Sequence, residues 1–252
     1  MSNAKSGSFF FYSDDGKYVI KTVSTADAKH LERTLPSYCS HVSSSSRDSP
    51  SLIAPFVGLY TVRMWWLKRS VLFVVMGSVF DTDGEVEKVF DLKGSVVGRM
   101  KGEGEEVGKD GDFRRMVEEW GGGIWMRRAG GREEMGTSLA RDLAWLKSEN
   151  VMDYSMLVGV GKRGEGEEEG GWEIEAGGGG EGGGEEEQEA GRGEEVMFVG
   201  IIDVLQTFTA RKKLEALGKG AANGGREGVS CTNPEHYARR FLKFWEMWCK
   251  QG

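Results

Sequence analysis

Two apolar runs in the second half of the sequence each have an acid at one end. Residues 196–202 read Val-Met-Phe-Val-Gly-Ile-Ile and stop at Asp203, whereas residues 154–160 begin directly after Asp153. Short apolar runs of this kind predict buried strands, and a carboxylate at the end of a buried strand is costly unless a cation or a metal ion meets it. A hairpin whose two acids are solvated in turns accounts for the same pattern.

The segment between these strands, residues 162–195, is rich in Gly and Glu. It holds 13 glutamates and only three cations, so the net charge of this segment is more negative than the formal net charge of −7 of the whole chain. We expect a disordered insertion within a hairpin, which costs little because loop-closure entropy grows only logarithmically with length. The remainder of the chain is mildly basic, and an anionic partner is therefore compatible with the acidic sequence pI of about 5.3.

Composition limits the class of protein. A length of 252 residues fits one or two domains, and a hydrophobic fraction of 38% argues against general disorder. Cys39, Cys231 and Cys249 lie far apart and indicate neither a disulfide framework nor a metal site, which suits a reducing cytosol. The sequence shows no apolar core of a signal peptide and no run of ~20 apolar residues, so we expect any membrane contact to be peripheral.

Residues 6–23 predict a β-hairpin around an Asp-Asp-Gly-Lys turn at 14–17. A Ser-Gly-Ser loop at 6–8 precedes the first strand, and Lys21 interrupts the apolar residues of the second. Small residues let backbone N–H groups approach a phosphate closely, and a lysine on the next strand can reach the same phosphate. A loop without a ligand and a solvated lysine are the ordinary alternatives.

The rest of the chain alternates predicted helices, strands and loops. Ser24 or Thr25 can cap a helix that runs to about Leu35, because a proline follows. A second helix is predicted from about Glu133. Its apolar positions at helical spacing are Met135, Leu139, Leu143 and Leu146. Further predictions are strands at 56–63 and 71–76, a strand that ends at 93, loops at 42–50, 101–108, 121–131 and 216–230, a final helix over 233–248, and packing of Trp65 and Trp66 between two strands.

Three motifs, in this order along the chain, resemble those of the phosphatidylinositol phosphate kinases. They are Phe90-Asp-Leu-Lys-Gly-Ser95, Met152-Asp-Tyr-Ser155 and Gly200-Ile-Ile-Asp203. With matching segments at 6–23, 109–113 and 237–244, the resemblance covers nearly the whole chain. It implies an α/β (α+β) fold of two lobes, distantly related to the protein kinases, within a single catalytic domain at 1–252.

The resemblance also implies where the lobes divide. The small lobe would span about 1–76, and the large lobe about 77–252 with the Gly/Glu-rich insert at 162–195. Because the chain starts at the glycine loop, we expect the small lobe to be truncated at its start and to lack its first strand.

The phosphatidylinositol phosphate kinases transfer the γ-phosphate of ATP to the inositol ring of a phosphoinositide, with Mg2+. The resemblance implies a role for each matching residue. Asp153 and Lys93 would be catalytic, and Asp203 would bind the metal ion. The ATP-binding residues would be Ser6, Gly7, Ser8, Lys21 and Met76. The substrate-binding residues would be Arg99, Lys109, Lys212, Lys213 and Glu215. These residue types suit the reaction, because transfer depends on positioning and on stabilising dense phosphate charge.

Within this family, the loop after Asp203 selects the substrate and docks on the membrane. Glu215, at the end of Lys-Lys-Leu-Glu, resembles the type I enzymes, which phosphorylate phosphatidylinositol 4-phosphate at the 5-hydroxyl; type II enzymes carry Ala there. The 3-phosphate 5-kinases share this run, and Asn-Pro-Glu-His-Tyr at 233–237 leans towards type II. The implied partner is a phosphoinositide in an anionic membrane and not a nucleic acid, and the implied location is peripheral, on the cytosolic face of the plasma membrane.

The sequence departs from the family pattern after the hinge methionine, Met76, where Gly77-Ser78 replaces Asn-Asn. The helix glutamate that pairs with the ATP lysine has no clear match, and Glu32 is the candidate. A catalytically impaired, lipid-binding scaffold is therefore an alternative to an active enzyme. A protein kinase is disfavoured, because neither His-Arg-Asp nor Asp-Phe-Gly stands at the equivalent places.

Overall fold

A computed structural model describes residues 2–3, 8–46, 49–95, 99–162, 164, 171–176, 195–207 and 233–251. These residues form a mixed α/β structure with two sheets and four helices, which confirms the α/β prediction. The helices are α1 (Thr25–Ser43), α2 (Asp110–Glu119), α3 (Gly131–Ser148) and α4 (Pro234–Trp248). The strands are β1 (Ser2–Asn3), β2 (Phe9–Tyr12), β3 (Tyr18–Val23), β4 (Phe56–Met64), β5 (Arg69–Gly77), β6 (Val86–Leu92), β7 (Ile124–Met126), β8 (Ser155–Lys162), β9 (Trp172–Ala176), β10 (Glu195–Ile202) and β11 (Cys249–Gln251).

The first sheet has the strand order β1-β2-β3-β5-β4. The predicted hairpin is confirmed as β2 and β3, and its turn uses Gly16 at φ 71°, a left-handed conformation that glycine adopts without strain. The strands predicted at 56–63 and 71–76 are confirmed as β4 and β5. The two-residue strand β1 pairs antiparallel with β2 and adds an edge that the sequence did not indicate.

Helix α1 is longer than predicted. Ser24 caps it as expected, since its hydroxyl accepts from the backbone N–H of Asp27. The predicted end near Leu35 is wrong, because the helix continues through Pro36 to Ser43. Proline in a helix interior costs about 3 kcal/mol, but Tyr38 and His41 lie beyond it on the buried face of α1. Their burial outweighs the lost hydrogen bond.

The second sheet has the order β11-β7-β9-β10-β8-β6. Strands β8 and β10 pair antiparallel over eight residues each, which confirms the predicted hairpin. The loop predicted at 121–131 is wrong at β7, and the disorder predicted across 162–195 is wrong at β9. Strand β9 pairs with both β10 and β7. Its Trp-Glu-Ile-Glu alternation gives one apolar face, and Ile174 on that face is 1% exposed.

The burial of Ile174 leads to a stability prediction. Ile174→Ala should lower the free energy of unfolding by about 2–4 kcal/mol, because it removes buried methyl groups and leaves a cavity. Val57→Ala is the matched control, since Val57 lies exposed on β4 and its truncation should cost little. Urea titration of both variants would measure the difference. Equal stability of Ile174→Ala and the parent chain would mean that β9 is not part of the folded sheet.

The main core lies between the second sheet and helices α2, α3 and α4. The helix predicted from about Glu133 is confirmed as α3, and its four predicted apolar positions are buried. The predicted C-terminal helix is confirmed as α4, which Asn233 caps by accepting from the N–H of His236. None of the helices in the described part of the chain is long and apolar enough to cross a membrane.

A buried carboxylate connects α1, α3 and the segment before β4. Asp142 on α3 is fully buried, and its Oδ1 lies 2.7 Å from Nε2 of His41 on α1. Its Oδ2 accepts from the backbone N–H of Leu52 at 2.5 Å, and both carboxylate oxygens accept from the hydroxyl of Ser51 at 3.2 Å. Because an unpaired buried charge is costly, this set of contacts fixes the position of α1 relative to α3.

The turn between β4 and β5 exposes two tryptophans. Trp65 and Trp66 begin a short 3-10 turn, and 83% of Trp65 and 63% of Trp66 are exposed. The prediction that they pack between strands is therefore wrong. The turn connects β4 to β5 at the end of their hairpin.

Candidate active site

Three strand ends meet at one edge of the second sheet. Because β6, β8 and β10 are neighbours and run antiparallel, the end of β6, the start of β8 and the end of β10 lie together. The chain continues this pairing beyond the strands, since the N–H of Met152 donates to the carbonyl oxygen of Gln206 at 2.9 Å. Lys93, Asp153 and Asp203 all lie just beyond these strand ends, so the topology gathers the three residues that the motifs singled out.

Both acids have left-handed backbone conformations. Asp153 and Asp203 each have φ 64°. Residues other than glycine adopt this conformation at a cost of about 1–3 kcal/mol, although aspartate tolerates it better than most. Strained backbone at residues other than glycine is often found at functional sites.

Lys93 holds Asp153 through two contacts. Its Nζ donates to Oδ1 of Asp153 at 2.6 Å and to the carbonyl oxygen of the same residue at 2.9 Å. The side chains of Lys93 and Asp153 are 19% and 28% exposed, so solvent and a substrate can reach the pair. The ammonium group therefore fixes the carboxylate and places a positive charge beside it.

Lys21 joins the two sheets. It lies on β3 opposite Phe10, and its Nζ forms a short ion pair with Oδ1 of Asp203. The ring centroid of Phe10 lies 5.1 Å from the same ammonium group, which favours a cation there. Glu32, the candidate helix partner of Lys21, is exposed on α1, so the carboxylate that meets Lys21 in this structure belongs to Asp203.

A second group of cations surrounds two more acids. Arg99 donates from Nη1 to Oδ2 of Asp110 at 2.8 Å. Its Nη2 lies 3.6 Å from Oδ2 of Asp91, and Nζ of Lys109 lies 3.7 Å from the same oxygen. The structure therefore brings Arg99 and Lys109 together around Asp91, although the sequence assigned them from separate motifs.

The buried carboxylate of Asp110 holds Arg99 in place. It is fully buried, and its Oδ1 accepts from the backbone N–H groups of Lys93 and Ser95 at 3.0 and 2.8 Å. Burial raises the pKa of this carboxyl above its ordinary value, and the Arg99 guanidinium opposes the rise. Asp110 thus connects Lys93, which holds Asp153, to Arg99, which lies beside Asp91. The sequence did not indicate this role.

Helix α4 supports the backbone of both catalytic candidates. The hydroxyl of Tyr237 donates to the carbonyl oxygen of Tyr154, the residue after Asp153, at 2.5 Å. Arg240 donates from Nη2 to the carbonyl oxygen of Lys93 at 2.9 Å. The sequence resemblance covered this helix but gave these two residues no role, because their contacts cross 83 and 147 positions of the chain.

Gly94 allows α4 to come this close. It has φ 66°, and a Cβ atom at this position would lie 3.3 Å from the Cα of Phe241 on α4. Only glycine combines that conformation with that space. The Gly of the Asp-Leu-Lys-Gly-Ser motif therefore serves the packing of α4 behind Lys93.

The support from α4 predicts a change in rate without a change in fold. In the ATP-dependent transfer that the motif resemblance implies, Tyr237→Phe should lower kcat about tenfold and leave KM for ATP unchanged, because the carbonyl next to Asp153 loses its donor while the aromatic ring stays packed. Tyr60→Phe, an exposed position on β4, is the matched control. Steady-state kinetics and thermal unfolding would be measured on all three proteins. A loss of thermal stability in Tyr237→Phe that accounts for the whole loss of rate would argue against a positioning role.

Several predicted site residues lie outside the described residues, namely Ser6, Gly7, Lys212, Lys213 and Glu215. Ser8 directly precedes β2 and is half-buried. Met76 lies on β5, where its buried side chain packs in a small cluster with Leu31 and Val74. The roles assigned to these residues stay predictions.

The donor set around Asp203 suits magnesium bound together with phosphates. Within the described ranges, no three His, Cys, Asp or Glu side chains converge to hold a metal ion by themselves. Mg2+ commonly binds through one or two carboxylates, waters and the phosphates of its substrate. Asp203, with a side chain 38% exposed at the sheet edge, offers such a carboxylate.

Comparisons with known proteins agree with the motifs. The family described as phosphatidylinositol-4-phosphate 5-kinase matches residues 1–247. A Dictyostelium discoideum protein named "Probable phosphatidylinositol phosphate kinase" is 31% identical over 300 residues, which cover 95% of this chain and 40% of that protein. The Gallus gallus "Phosphatidylinositol 4-phosphate 5-kinase type-1 beta" is 30% identical over 278 residues, which cover 95% of this chain and 50% of that protein. The chain thus spans half or less of the length of these relatives.

Proposed function

Because this chain belongs to the phosphatidylinositol-4-phosphate 5-kinase family, we propose that it transfers the γ-phosphate of ATP to the 5-hydroxyl of phosphatidylinositol 4-phosphate, giving phosphatidylinositol 4,5-bisphosphate. The observation that carries the proposal is the gathering of two lysine–aspartate pairs at one sheet edge, Lys21 with Asp203 and Lys93 with Asp153. Phosphoryl transfer needs such fixed cations and carboxylates around the reacting oxygens.

Each side chain has a separate part in the proposed reaction. Asp153 accepts a hydrogen bond from the attacking 5-hydroxyl and takes its proton, while Lys93 holds the carboxylate in place. Lys21 leaves Asp203 and turns to the phosphates when ATP binds. Asp203 would hold Mg2+, and the bound ion would neutralise phosphate charge. The ion pair of Lys21 with Asp203 thus holds both side chains in place before the nucleotide arrives.

The second cation group supplies a place for the phosphate already on the lipid. Arg99 and Lys109 converge on Asp91, and both side chains are about a fifth exposed. In the proposal their charges bind the 4-phosphate, and the proximity of Asp110 to Lys93 fixes the distance between this phosphate and the reacting hydroxyl. Lys212, Lys213 and Glu215 are proposed, from sequence alone, to complete substrate selection and to contact the anionic membrane.

The proposed enzyme has two lobes and works on a lipid surface. The first sheet with α1 would form the small lobe and the second sheet with α2 to α4 the large lobe, with the ATP site between Lys21 and Asp203. The proposed location is the cytosolic face of the plasma membrane, where the lipid substrate lies in an anionic leaflet. Support comes from the family and from the two cation clusters around the site.

A second candidate is a lipid-binding relative with little activity. The exposure of Glu32 favours this second candidate. Lys21 pairs with Asp203, and no glutamate on α1 holds the lysine in place when a nucleotide competes with Asp203 for it. Measurable transfer by the full chain, lost on replacing Asp153, would separate the enzyme from the scaffold.

The proposal is tested by phosphoryl transfer from radiolabelled ATP to vesicles that carry each monophosphorylated phosphoinositide in turn. The expected result is a 4,5-bisphosphate product from the 4-phosphate lipid and slower reaction with the 3- and 5-phosphate lipids. A clear preference for the 5-phosphate lipid would assign a 4-kinase instead, and binding of all lipids without any transfer would support the scaffold.

Glu215 provides a prediction about the choice of lipid. Glu215→Ala should shift the ratio of rates on the 4-phosphate and 5-phosphate lipids towards the 5-phosphate lipid. The reason is that a carboxylate at this position repels a phosphate at one position of the inositol ring more than at another. The ratio is measured on otherwise identical vesicles, with Glu118→Ala, at an exposed position on α2, as a control that keeps the same change of charge. An unchanged ratio with a lower total rate would show that Glu215 does not select the substrate.

A further inference from the structure

The tip of the β4–β5 hairpin presents aromatic and cationic side chains together. The hairpin tip, defined here as Arg63–Arg69, contains Trp65 and Trp66, whose rings lie edge to face with centroids 5.9 Å apart. The 3-10 turn closes at Lys68, which has φ 48° and donates its N–H to the carbonyl oxygen of Trp65. The exposed pair is therefore held on an ordered turn.

Exposed tryptophans on an ordered turn indicate a partner. A tryptophan buries roughly 150–250 Å² when it is covered, and it is among the residues that contribute most to interfaces. Val62 and Tyr60 are further exposed apolar side chains on β4, the edge strand of the first sheet that leads to the tip. Large apolar side chains exposed together mark a site of contact with a protein or a membrane.

The charge around the tip selects between these partners. Arg63, Lys68 and Arg69 are exposed beside the tryptophans, and the sequence has no Asp or Glu from residue 49 to residue 80. Tryptophan concentrates at the level of lipid headgroups, where its ring is apolar and its N–H finds an acceptor. Lysine and arginine near the same level are attracted to anionic lipids.

We infer that the hairpin tip inserts into the headgroup region of an anionic lipid surface, with Trp65 and Trp66 as the inserted side chains and with Arg63, Lys68 and Arg69 on the lipid phosphates. This inference deepens the proposed function, because it gives a lipid kinase a membrane contact on the first sheet, separate from the loop after Asp203. Binding at the tip requires neither ATP nor a phosphoinositide.

The tip is far enough from the catalytic groups to be changed by itself. Lys21 on β3 pairs with Val74 on β5, and Arg69 at the tip lies five positions before Val74. At about 3.3 Å per strand residue, the tip is roughly 17 Å along the sheet from Lys21. Substitutions at the tip should therefore leave transfer to a soluble substrate unchanged.

The test measures binding of the full chain to phosphatidylcholine–phosphatidylserine vesicles without ATP or phosphoinositide. Trp65→Ser with Trp66→Ser should weaken binding by about tenfold or more, whereas Val57→Ser, an exposed apolar-to-polar change at the other end of β4, should not. Lys68→Gln with Arg69→Gln should weaken binding about thirtyfold at low salt, at about fivefold for each cation. The cation pair should have no such effect on pure phosphatidylcholine vesicles, because these carry no anionic lipid.

Brominated lipids give a second readout, because they quench only tryptophans that enter the bilayer. The parent chain should be quenched, and the double tryptophan variant should lose most of that quenching. The same quenching in both proteins, or equal binding of both to the vesicles, would overturn the inference. A change of oligomeric state in the tryptophan variant, seen by sedimentation with vesicle binding intact, would assign the tip to self-association instead.

Transfer to a soluble short-chain phosphoinositide separates this inference from the proposed function. Normal transfer by the tip variants with lost vesicle binding supports both. Normal vesicle binding by the tip variants overturns the inference and leaves the proposed function standing. Lack of transfer by the parent chain, with tip-dependent vesicle binding, would overturn the function and leave the tip as a membrane contact.

Discussion

Asp153→Asn and Asp203→Asn are each expected to lower the rate of phosphoryl transfer by about 10²–10³ or more, which is the usual effect of losing one preorganised electrostatic group. Asparagine has nearly the same size as aspartate and also tolerates the left-handed conformation found at both positions. The loss should therefore come from chemistry and not from the fold. An amide in place of the Asp153 carboxylate cannot take the hydroxyl proton, and an amide in place of the Asp203 carboxylate binds Mg2+ weakly.

The two variants should fail in different ways. Asp153→Asn should lower kcat with little change in KM for ATP, whereas Asp203→Asn should raise the magnesium concentration needed for half-maximal rate. Asp14→Asn, in the exposed turn of the β2–β3 hairpin, is the control for the change itself. Parent-like activity of either variant on vesicles would show that its acid does not have the proposed role, and thermal unfolding of all variants would identify any that are merely unstable.

Asp142→Ala is expected to lower the free energy of unfolding by about 3–5 kcal/mol, because several hydrogen-bonding groups lose their shared acceptor inside the protein. The substitution leaves the N–H of Leu52, the hydroxyl of Ser51 and the His41 ring without their acceptor in a buried site. Each buried group that loses its partner costs about 1–3 kcal/mol. Chemical denaturation followed by fluorescence would measure the change.

Two further variants show whether the effect belongs to this buried set. His41→Ala should destabilise the protein as well, and the double variant should cost less than the sum of the two single changes, because both remove one shared contact. Asp14→Ala, at an exposed turn, should change stability by less than about 0.5 kcal/mol. Simple additivity of His41 and Asp142 would mean that the contact between them contributes little.

The sequence predicted those parts of the fold in which a local pattern coincides with burial. The apolar runs of β8 and β10 and the helical spacing on α3 are of this kind, and they carry the core around the site. Predictions from the sequence were wrong where contacts with residues far away in the chain determine the local structure. Helix α1 continues through Pro36 because Tyr38 and His41 are buried by other elements, and β9 forms within a Gly/Glu-rich segment because β7 and β10 accept it.

The candidate site divides in the same way. Lys93, Asp153 and Asp203 could be found from motifs, because each stands next to a strand end that is visible in the sequence. The supporting residues could not, since Tyr237 and Arg240 act through backbone carbonyls far away in the chain. The pairing of Lys21 with Asp203 in place of Glu32 was equally invisible, because it depends on how the two sheets meet.

These contacts join residues that lie far apart in the sequence. This separation determines when the site can form as the chain emerges from a ribosome. Lys21 and Asp203 are 182 residues apart, and Tyr237 follows Tyr154 by 83. At synthesis rates of about 5–20 residues per second, about 10 s separate the emergence of the acid near Tyr154 from that of the helix that supports it. All residues of the first sheet are therefore synthesised well before those of a complete site. Refolding should restore secondary structure earlier than activity, since distant contacts close last.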